Sequence, residues 1–466
     1  MIRKFLWLAL AAVVLGGCTM TPKYSRPSAP IPVDWPSGPA YKNAAASPGA
    51  PLAEDLPWRD FFTDVKLQEI ITTALENNRD LRLATLNVER ARALYRIQRA
   101  ELYPAVEAGA RASRERVHLS GTKGLTTVEQ YGVNLGLTAW EIDFFGRIRS
   151  LAQSALEEYF ATAQGRRSAQ ILLLAEIANA YLTLASDREN LKLAQSTLKT
   201  QQDAYNLIRR RFEVGLAPEL DLRQAQTRLE AARVDVALYT ELAAQDENAL
   251  NLLAGALVPA ALLPQELSTI KPMAEVTPGL SSEVLLGRPD ILQAESLLKA
   301  ANANIGAARA AFFPRISLTS AFGTASGDLG GLFQSGSYVW NYAPRLVLPI
   351  FDARTWSGLK ATRVEREIAL TKYEKAIQTA FREVADALAT RGTIGDQLAA
   401  QQSLVEATAR AYQLSNARYE KGIDIYLTVL DAQRSLYAAQ QGLIATRLAQ
   451  LANQVRLYTV LGGGSD

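Results

Sequence analysis

The sequence predicts an α+β membrane protein: a β-barrel to which each chain adds four strands, continued by a long α-helical coiled-coil tunnel, with a two-fold internal repeat. Three observations carry this: the chain occurs twice over, each copy holds a pair of alternating strands, and each pair is followed by a proline-free helical stretch of about 70 residues.

The repeat comes first because it constrains everything else. Arg211-Phe212-Glu213-Val214-Gly215, with Leu220, Ala225, Gln226 and Leu229, returns 207 residues later as Arg418-Tyr419-Glu420-Lys421-Gly422, with Leu427, Ala432, Gln433 and Leu436. Upstream, Arg99-Ala100 with Tyr103-Pro104 returns 210 residues later as Arg309-Ala310 with Phe313-Pro314. A period near 200 residues is too long for a solenoid, so each copy is a half-structure packed against its twin.

The N-terminus reads as an export signal: Arg3-Lys4, an apolar run from Phe5 to Leu15, then Gly16-Gly17-Cys18. Cys18 is the only cysteine, so no internal disulfide is available, and its place after Leu-Gly-Gly matches a bacterial lipobox whose thiol takes a diacylglycerol, with palmitate expected on the mature protein. Thr19 follows, not Asp, which by resemblance to known lipoproteins favours the outer membrane over inner-membrane retention. From Pro22 to Pro57 lie nine of the 19 prolines, which makes an extended lead rather than a core. The resulting division is a signal peptide at 1–17, a lipidated lead at 18–58, repeat 1 at 59–256, a linker at 257–282 and repeat 2 at 283–466.

Without Arg3 and Lys4 there remain 48 basic against 47 acidic residues, so no strong field draws in nucleic acid. No mature stretch reaches the 18 or so apolar residues of a spanning helix; Ile171 to Ala185 comes closest and contains Glu176 and Asn179. A membrane crossing must therefore be made by strands.

Residues 64–103 have helical periodicity and stop at Pro104. The strand pair at 105–141 follows, with turn-rich Ser120 to Gly124 between its strands; Tyr131, Val133, Leu135 and Leu137 alternate with Gly132, Asn134, Gly136 and Thr138. The twin pair at 315–351 has Tyr338, Trp340, Tyr342, Leu346, Leu348 and Ile350 in alternation. Lipid outside, water inside and aromatics near the interfaces have this pattern; a soluble sheet covered by helices has it too, and lipidation with the long helices favours the barrel.

Those helices, 145–214 and 355–421, would each be roughly 100 Å long. Each stops at a glycine, Gly215 or Gly422, as a left-handed C-cap requires. A new helix starts at once, with Pro218 suited to its first position in one copy and Asp424 to the N-cap in the other. The returning helices carry heptads, Leu222-Leu229-Val236-Ala243-Leu250 and Leu430-Tyr437-Ile444-Leu451-Tyr458, the seam of a left-handed coiled coil or of a plain bundle. One long helix beside two stacked shorter ones places 257–282 as an equatorial belt.

Four strands cannot enclose a lumen, and an open edge in lipid leaves amides unpaired at several kcal/mol each. Several chains must share one barrel, and three would make a 12-stranded pore. Both strand-connecting loops point away from the helices, so the helices belong in the periplasm.

Leu137 to Arg147 (LTAWEIDFFGR), Arg288-Pro289-Asp290-Ile291, Ala308 to Pro314 (ARAAFFP) and Leu430 to Leu436 (LDAQRSL) resemble the outer membrane factor family, in particular its lipoprotein branch of multidrug efflux proteins. The resemblance implies a homotrimeric channel-tunnel in the outer membrane lipid. It further implies docking with a periplasmic adaptor, or membrane fusion protein, and an inner-membrane RND-type pump. It also implies a periplasmic gate at Leu427 and Asp431, four residues apart on one helix face, as an apolar ring above an acidic one. The first copy has Leu220 and Gln224 there, so only the second hairpin keeps the acid. The hairpin tips, Arg211, Phe212 and Gly215 with Arg418, Tyr419 and Gly422, are the candidate adaptor contacts.

Other classes fit less well. The sole histidine, His118, and a cysteine committed to lipid leave no triad or Cys/His metal site, so neither an enzyme nor a cofactor beyond the lipid is expected. A lipid-anchored, non-conducting coiled-coil tether has no use for aromatic-banded strands. Export of proteins or cations through the same kind of tunnel stays open, because the pump selects the cargo.

Overall fold

A computed structural model describes residues 19–42, 50–118, 124–279 and 281–464. Cys18, the signal peptide and most of the first hairpin turn lie outside the described residues. The elements are α1 (Trp58–Phe61), α2 (Val65–Asn77), α3 (Arg79–Ala100), β1 (Val106–His118), β2 (Leu125–Glu141), α4 (Arg147–Glu213) and α5 (Glu219–Ala254), followed by the twins α6 (Pro289–Ala310), β3 (Arg315–Ser326), β4 (Tyr338–Val347), α7 (Ala353–Glu420) and α8 (Tyr426–Val460). They fall into two compact units, one of Met1–Ser28, Asn87–Ala163 and Gln293–Glu374, the other of Ala29–Leu86, Gln164–Leu292 and Lys375–Asp466.

The first unit contains a four-stranded antiparallel sheet in the order β1-β2-β3-β4. Leu135 lies opposite Ala108 on one side and Phe322 on the other, and Phe322 lies opposite Trp340. Directly opposed residues share a face, so these rungs build one apolar, aromatic surface, while Gly132, Asn134, Gly136, Ala321 and Gly323 line the other. The register shifts between Leu137 and Trp140, where Ala139 takes φ 51° and gives its N–H to the Thr319 hydroxyl. A bulge of this kind bends the strand locally, and pairing with β3 resumes beyond it at Trp140 and Glu141. Beyond it Glu141 accepts two 2.8 Å bonds from Arg147 and an ion pair from Arg315 at 3.1 Å, and Asp143 accepts from the Arg149 N–H at the start of α4.

The lead is extended, and in this unit it is held by side chains that composition does not reveal. Arg309 and Asn302 of α6 donate to the carbonyls of Met20 and Pro22, while Glu295, only 5% exposed, receives Arg26, Tyr24 and Lys299.

The second unit has its core where Phe61 stacks on Tyr458 at 3.9 Å and Tyr458 donates to the Leu56 carbonyl. A Cβ on Gly463 would fall 2.2 Å from the Tyr458 ring, so the terminal glycine run is a packing requirement. Helix α4 contains the one stretch among the described residues long and apolar enough to span a bilayer, but Leu174, Ile177, Ala178, Tyr181 and Leu182 are buried here, so it is a core helix. The heptad seam of α5 is buried at Leu229, Ala243 and Leu250, joined by Ala225, Ala232 and Ala254 from the interleaved positions. The linker runs over α4: Arg188 donates to the Pro264 carbonyl and Glu189 accepts from the Leu267 N–H.

Three local expectations are corrected. The helical stretch expected over 64–103 breaks at Asn78, whose backbone is extended (ψ 131°) and whose carboxamide oxygen caps α3 through the Leu81 N–H. Pro218 is the residue before α5 rather than its first, in extended conformation (ψ 157°). Asp424 is not an N-cap, because Arg418 takes its carboxylate and Ile425 holds that position in α8.

A carboxyl pair, Asp187 of α4 and Asp246 of α5, sits in the second unit. Burial raises both; the charge and hydrogen bond of Asp187 add to this at Asp246, which is pushed up to about 6, while the Asn190 amide donates to Asp187. The folded chain thus holds a proton that the unfolded chain releases near 3.8. The stabilising contribution is complete below that value, falls as pH rises through about 6, and is gone above it. Asp246→Asn is therefore expected to raise the thermal midpoint at neutral pH and leave it nearly unchanged near pH 4; equal shifts at both pH values would contradict the pairing.

Candidate functional site

Both hairpin tips are built in the second unit from the same backbone device. At the end of α4 the Gly215 N–H binds the Phe212 carbonyl and the Leu216 N–H binds that of Arg211; at the end of α7 Gly422 binds Tyr419 and Ile423 binds Arg418. Gly215 and Gly422 have φ of 75° and 72°, where a side chain is strained, so these two glycines reverse the chain.

Beneath the tips Ile208, Ala225, Tyr426, Val429 and Leu430 form a buried cluster, with Tyr205, Leu222, Tyr412 and Tyr419 packed against it. This cluster joins the hairpin of repeat 1 to that of repeat 2. Arg211 strengthens the join by donating to the Tyr419 hydroxyl at 2.9 Å with its guanidinium 5.4 Å from that ring. Tyr419 also lies 5.2 Å from the Tyr426 ring. Burial pushes the Tyr426 hydroxyl up to about 12, so it stays a neutral phenol throughout the physiological range.

The two expected tip arginines therefore differ. Arg211 is turned inward to its twin hairpin, whereas Arg418 closes its own turn through Asp424 at 2.6 and 3.0 Å, holding that carboxyl below its usual range. Phe212 is 39% exposed, and Val214, Leu216, Ile423 and Ile425 stand out further still, so the tips present an apolar surface to whatever covers them.

Leu427 and Asp431 lie on the exposed side of α8, with Val429 and Leu430 taking the buried side. The Asp431 carboxylate is 3.4 Å from Arg434. In the first copy Leu220 is exposed as well, and Gln224 replaces the acid. Both expected gate residues stand outside the buried cluster of their own chain.

Sequence reasoning missed Tyr205, Tyr412, Tyr426 and Arg434 as parts of this region, and placed Asp424 here in a different role. Tyr205 and Tyr412 carried a usable signal, since they stand at the same 207-residue offset as the tip motifs. Tyr426 has Glu219 at its twin position, so the repeat could not have flagged it. Among the described residues no group of three or more His, Cys, Asp or Glu side chains could hold a metal ion.

A sheet with one apolar aromatic face, two unclosed edges and coiled-coil helices of 67 and 68 residues defines a subunit of an oligomeric outer-membrane channel. The family model described as "Outer membrane efflux protein" matches residues 70–256 and 280–463, and the chain belongs to that family. It is 50% identical over 470 residues to the antibiotic efflux pump outer membrane protein ArpC of Pseudomonas putida, and equally to the toluene efflux pump outer membrane protein TtgC of the same species, covering all of this chain and 96% of each relative. The open-state crystal structure of the Neisseria gonorrhoeae MtrE outer membrane channel superposes with a TM-score of 0.86 at 38% identity, covering 96% of this chain and 99% of that one.

The fold is thus that of the trimeric outer-membrane channels, four strands per chain in a β-barrel continued by a helical tunnel. The protein is the outer-membrane conduit of an efflux system that spans the outer membrane into the periplasm, and not an enzyme.

Proposed function

We propose that the homotrimer passively conducts drugs, organic solvents and other small amphipathic compounds to the cell exterior, receiving them from a periplasmic membrane fusion protein and an RND-type pump of the inner membrane. The observation that carries this reading is the full-length 50% identity to efflux proteins named for antibiotics and for toluene. The pump supplies the work and the trimer supplies the path.

In this reading Leu427 and Asp431 of three α8 helices form the periplasmic gate. Three leucines exclude water and ions, and three carboxylates repel anions and admit or hold cations. Their exposure in the single chain supports the assignment, since a ring about an axis must project away from its own core. The tip residues Arg211, Phe212, Gly215, Arg418, Tyr419 and Gly422 shape the surface that meets the adaptor, the glycines by setting the turns and the others by presenting or bracing it. Opening moves the second hairpin sideways, which requires rearrangement of the Arg211–Tyr419 contact that ties it to the first.

Cys18 carries the lipid in this reading. The Leu-Gly-Gly-Cys motif supports it, as does the anchoring of the next residues, Met20 to Arg26, on α6.

Deleting the gene and measuring resistance to chemically distinct antibiotics, dyes, detergents and toluene tests the proposal. Increased susceptibility across unrelated classes is expected, restored by the gene in trans. Susceptibility changed for metal salts alone would instead assign the tunnel to cation export.

A further inference from the structure

The apolar face of the barrel sheet does not end in neutral residues. Followed along β1 and β2 toward their connecting turn, the rung of Ala112 and Tyr131 is succeeded by Arg114 opposite Glu129, Arg116 opposite Thr127 and His118 opposite Leu125. All share the face of Val133 and Leu135, because opposed residues and residues two apart lie on the same side. At about 3.4 Å per residue, Arg114 stands roughly 7 Å and Arg116 roughly 14 Å beyond Tyr131.

Tyr131 marks the aromatic border of the hydrocarbon zone, so the two arginines reach the headgroup level of the leaflet facing away from the helices. That leaflet is the outer one, which in an outer membrane is built of phosphorylated glycolipid. We propose that Arg114 and Arg116 form a binding site for the phosphate groups of this anionic glycolipid, one site per protomer.

The local charges favour an anion. Arg114 is paired with Glu129 at 3.0 Å, and Tyr131 donates to the same carboxylate at 3.2 Å, so Glu129 is bound from two sides and orients the guanidinium. That pair is solvent-exposed, the arginine 75% so, and such pairs are worth little against a doubly charged phosphate that accepts bidentately. Arg116 makes no hydrogen bond or ion pair among the described residues, and His118 adds a third basic group to the same face. The acid nearest in sequence, Glu115, projects to the opposite face, and the Asp328 carboxylate accepts from the Gly331 N–H in the β3–β4 connection. A solvated rim would need no such succession of basic groups directly above an aromatic rung.

The inference rests on this face lying in the bilayer, and the experiment separates the two. Full-length trimer is reconstituted in nanodiscs of zwitterionic phospholipid containing bis-phosphorylated lipid A, and retained lipid A is counted by native mass spectrometry. Wild type is expected to hold lipid A, while R114Q/R116Q and the dephosphorylated lipid both give binding weakened by about tenfold or more, the loss of charge-assisted bonds. Arg111→Gln, on the opposite face, should leave binding unchanged. Channel insertion into purely zwitterionic planar bilayers reports the barrel itself and should be the same for every variant. If the double variant assembles poorly, Arg116→Gln alone and a weakening of wild-type binding in 0.5 M salt, on the order of the Debye screening expected there, take its place. Equal retention of phosphorylated and dephosphorylated lipid, or full retention by assembled R114Q/R116Q, overturns the proposal.

Discussion

Replacing Leu427 and Asp431 together by alanine raises the closed-state conductance of the reconstituted channel in planar bilayers, by on the order of tenfold. The magnitude follows from removing both barriers at once, an apolar constriction that ions cross only by dewetting and a carboxylate ring that sets their sign. Asp431→Ala alone should chiefly reduce preference for cations, and Leu427→Ala alone should chiefly widen the leak. Because both side chains are exposed in the chain while Val429 and Leu430 carry the packing beneath them, trimer yield and thermal midpoint should stay at wild-type values. An assembled double variant with wild-type closed-state conductance would remove these residues from the gate. Arg434, 3.4 Å from Asp431, provides an internal check, since Arg434→Ala strips a counter-charge from the acidic ring and should strengthen cation preference.

The second large effect is structural. Arg288→Ala should destabilise the assembled protein by about 1–3 kcal/mol, read by denaturant unfolding at fixed protein concentration. Its side chain is 10% exposed and serves three partners: both carboxylate oxygens of Asp290 at 3.0 and 2.8 Å, Glu383 of α7 at 3.0 Å, and the Val460 carbonyl at the end of α8 at 2.6 Å. Truncation takes the donor from two carboxylates, Asp290 and Glu383, which keep partial access to water, and from the helix-terminal Val460 carbonyl. Arg288→Lys should recover little, because a single ammonium cannot span a fork, a second carboxylate and a carbonyl. A loss below about 1 kcal/mol for the alanine variant would show that water replaces the guanidinium without penalty.

These two sites differ in how far they could be read from the chain alone. Gly215 and Gly422 were legible as turns because a left-handed backbone position demands the same residue in both copies. The alternation of Tyr131 to Leu137 was legible because a strand with lipid on one side has a period of two. Arg288 was noticed only as part of a family motif; its role depends on Val460, 172 residues away, and no local pattern encodes that distance. The break at Asn78 was missed for a related reason. Residues on either side of it keep a helical spacing, and the interruption is favoured by a tertiary bond from the Asn78 amide to the Leu253 carbonyl. The misreading of Asp424 is a competition between partners: a capping residue by type, it is drawn away by an arginine that the turn itself brings within reach.

The amino-acid order by itself determined the duplication, the strand pairs, the long helices, their glycine stops and the need for more than one chain around a common wall, since each of these follows from backbone hydrogen bonding and side-chain periodicity over neighbouring residues. Tertiary structure alone decided that the proline-rich lead is gripped by Glu295, Asn302 and Arg309, that Arg211 reaches across to Tyr419, and that Asp187 and Asp246 confront one another. Such contacts join residues far apart in the chain through single bonds whose formation depends on the packing of whole helices, so their free energy is set by a geometry that exists only after folding.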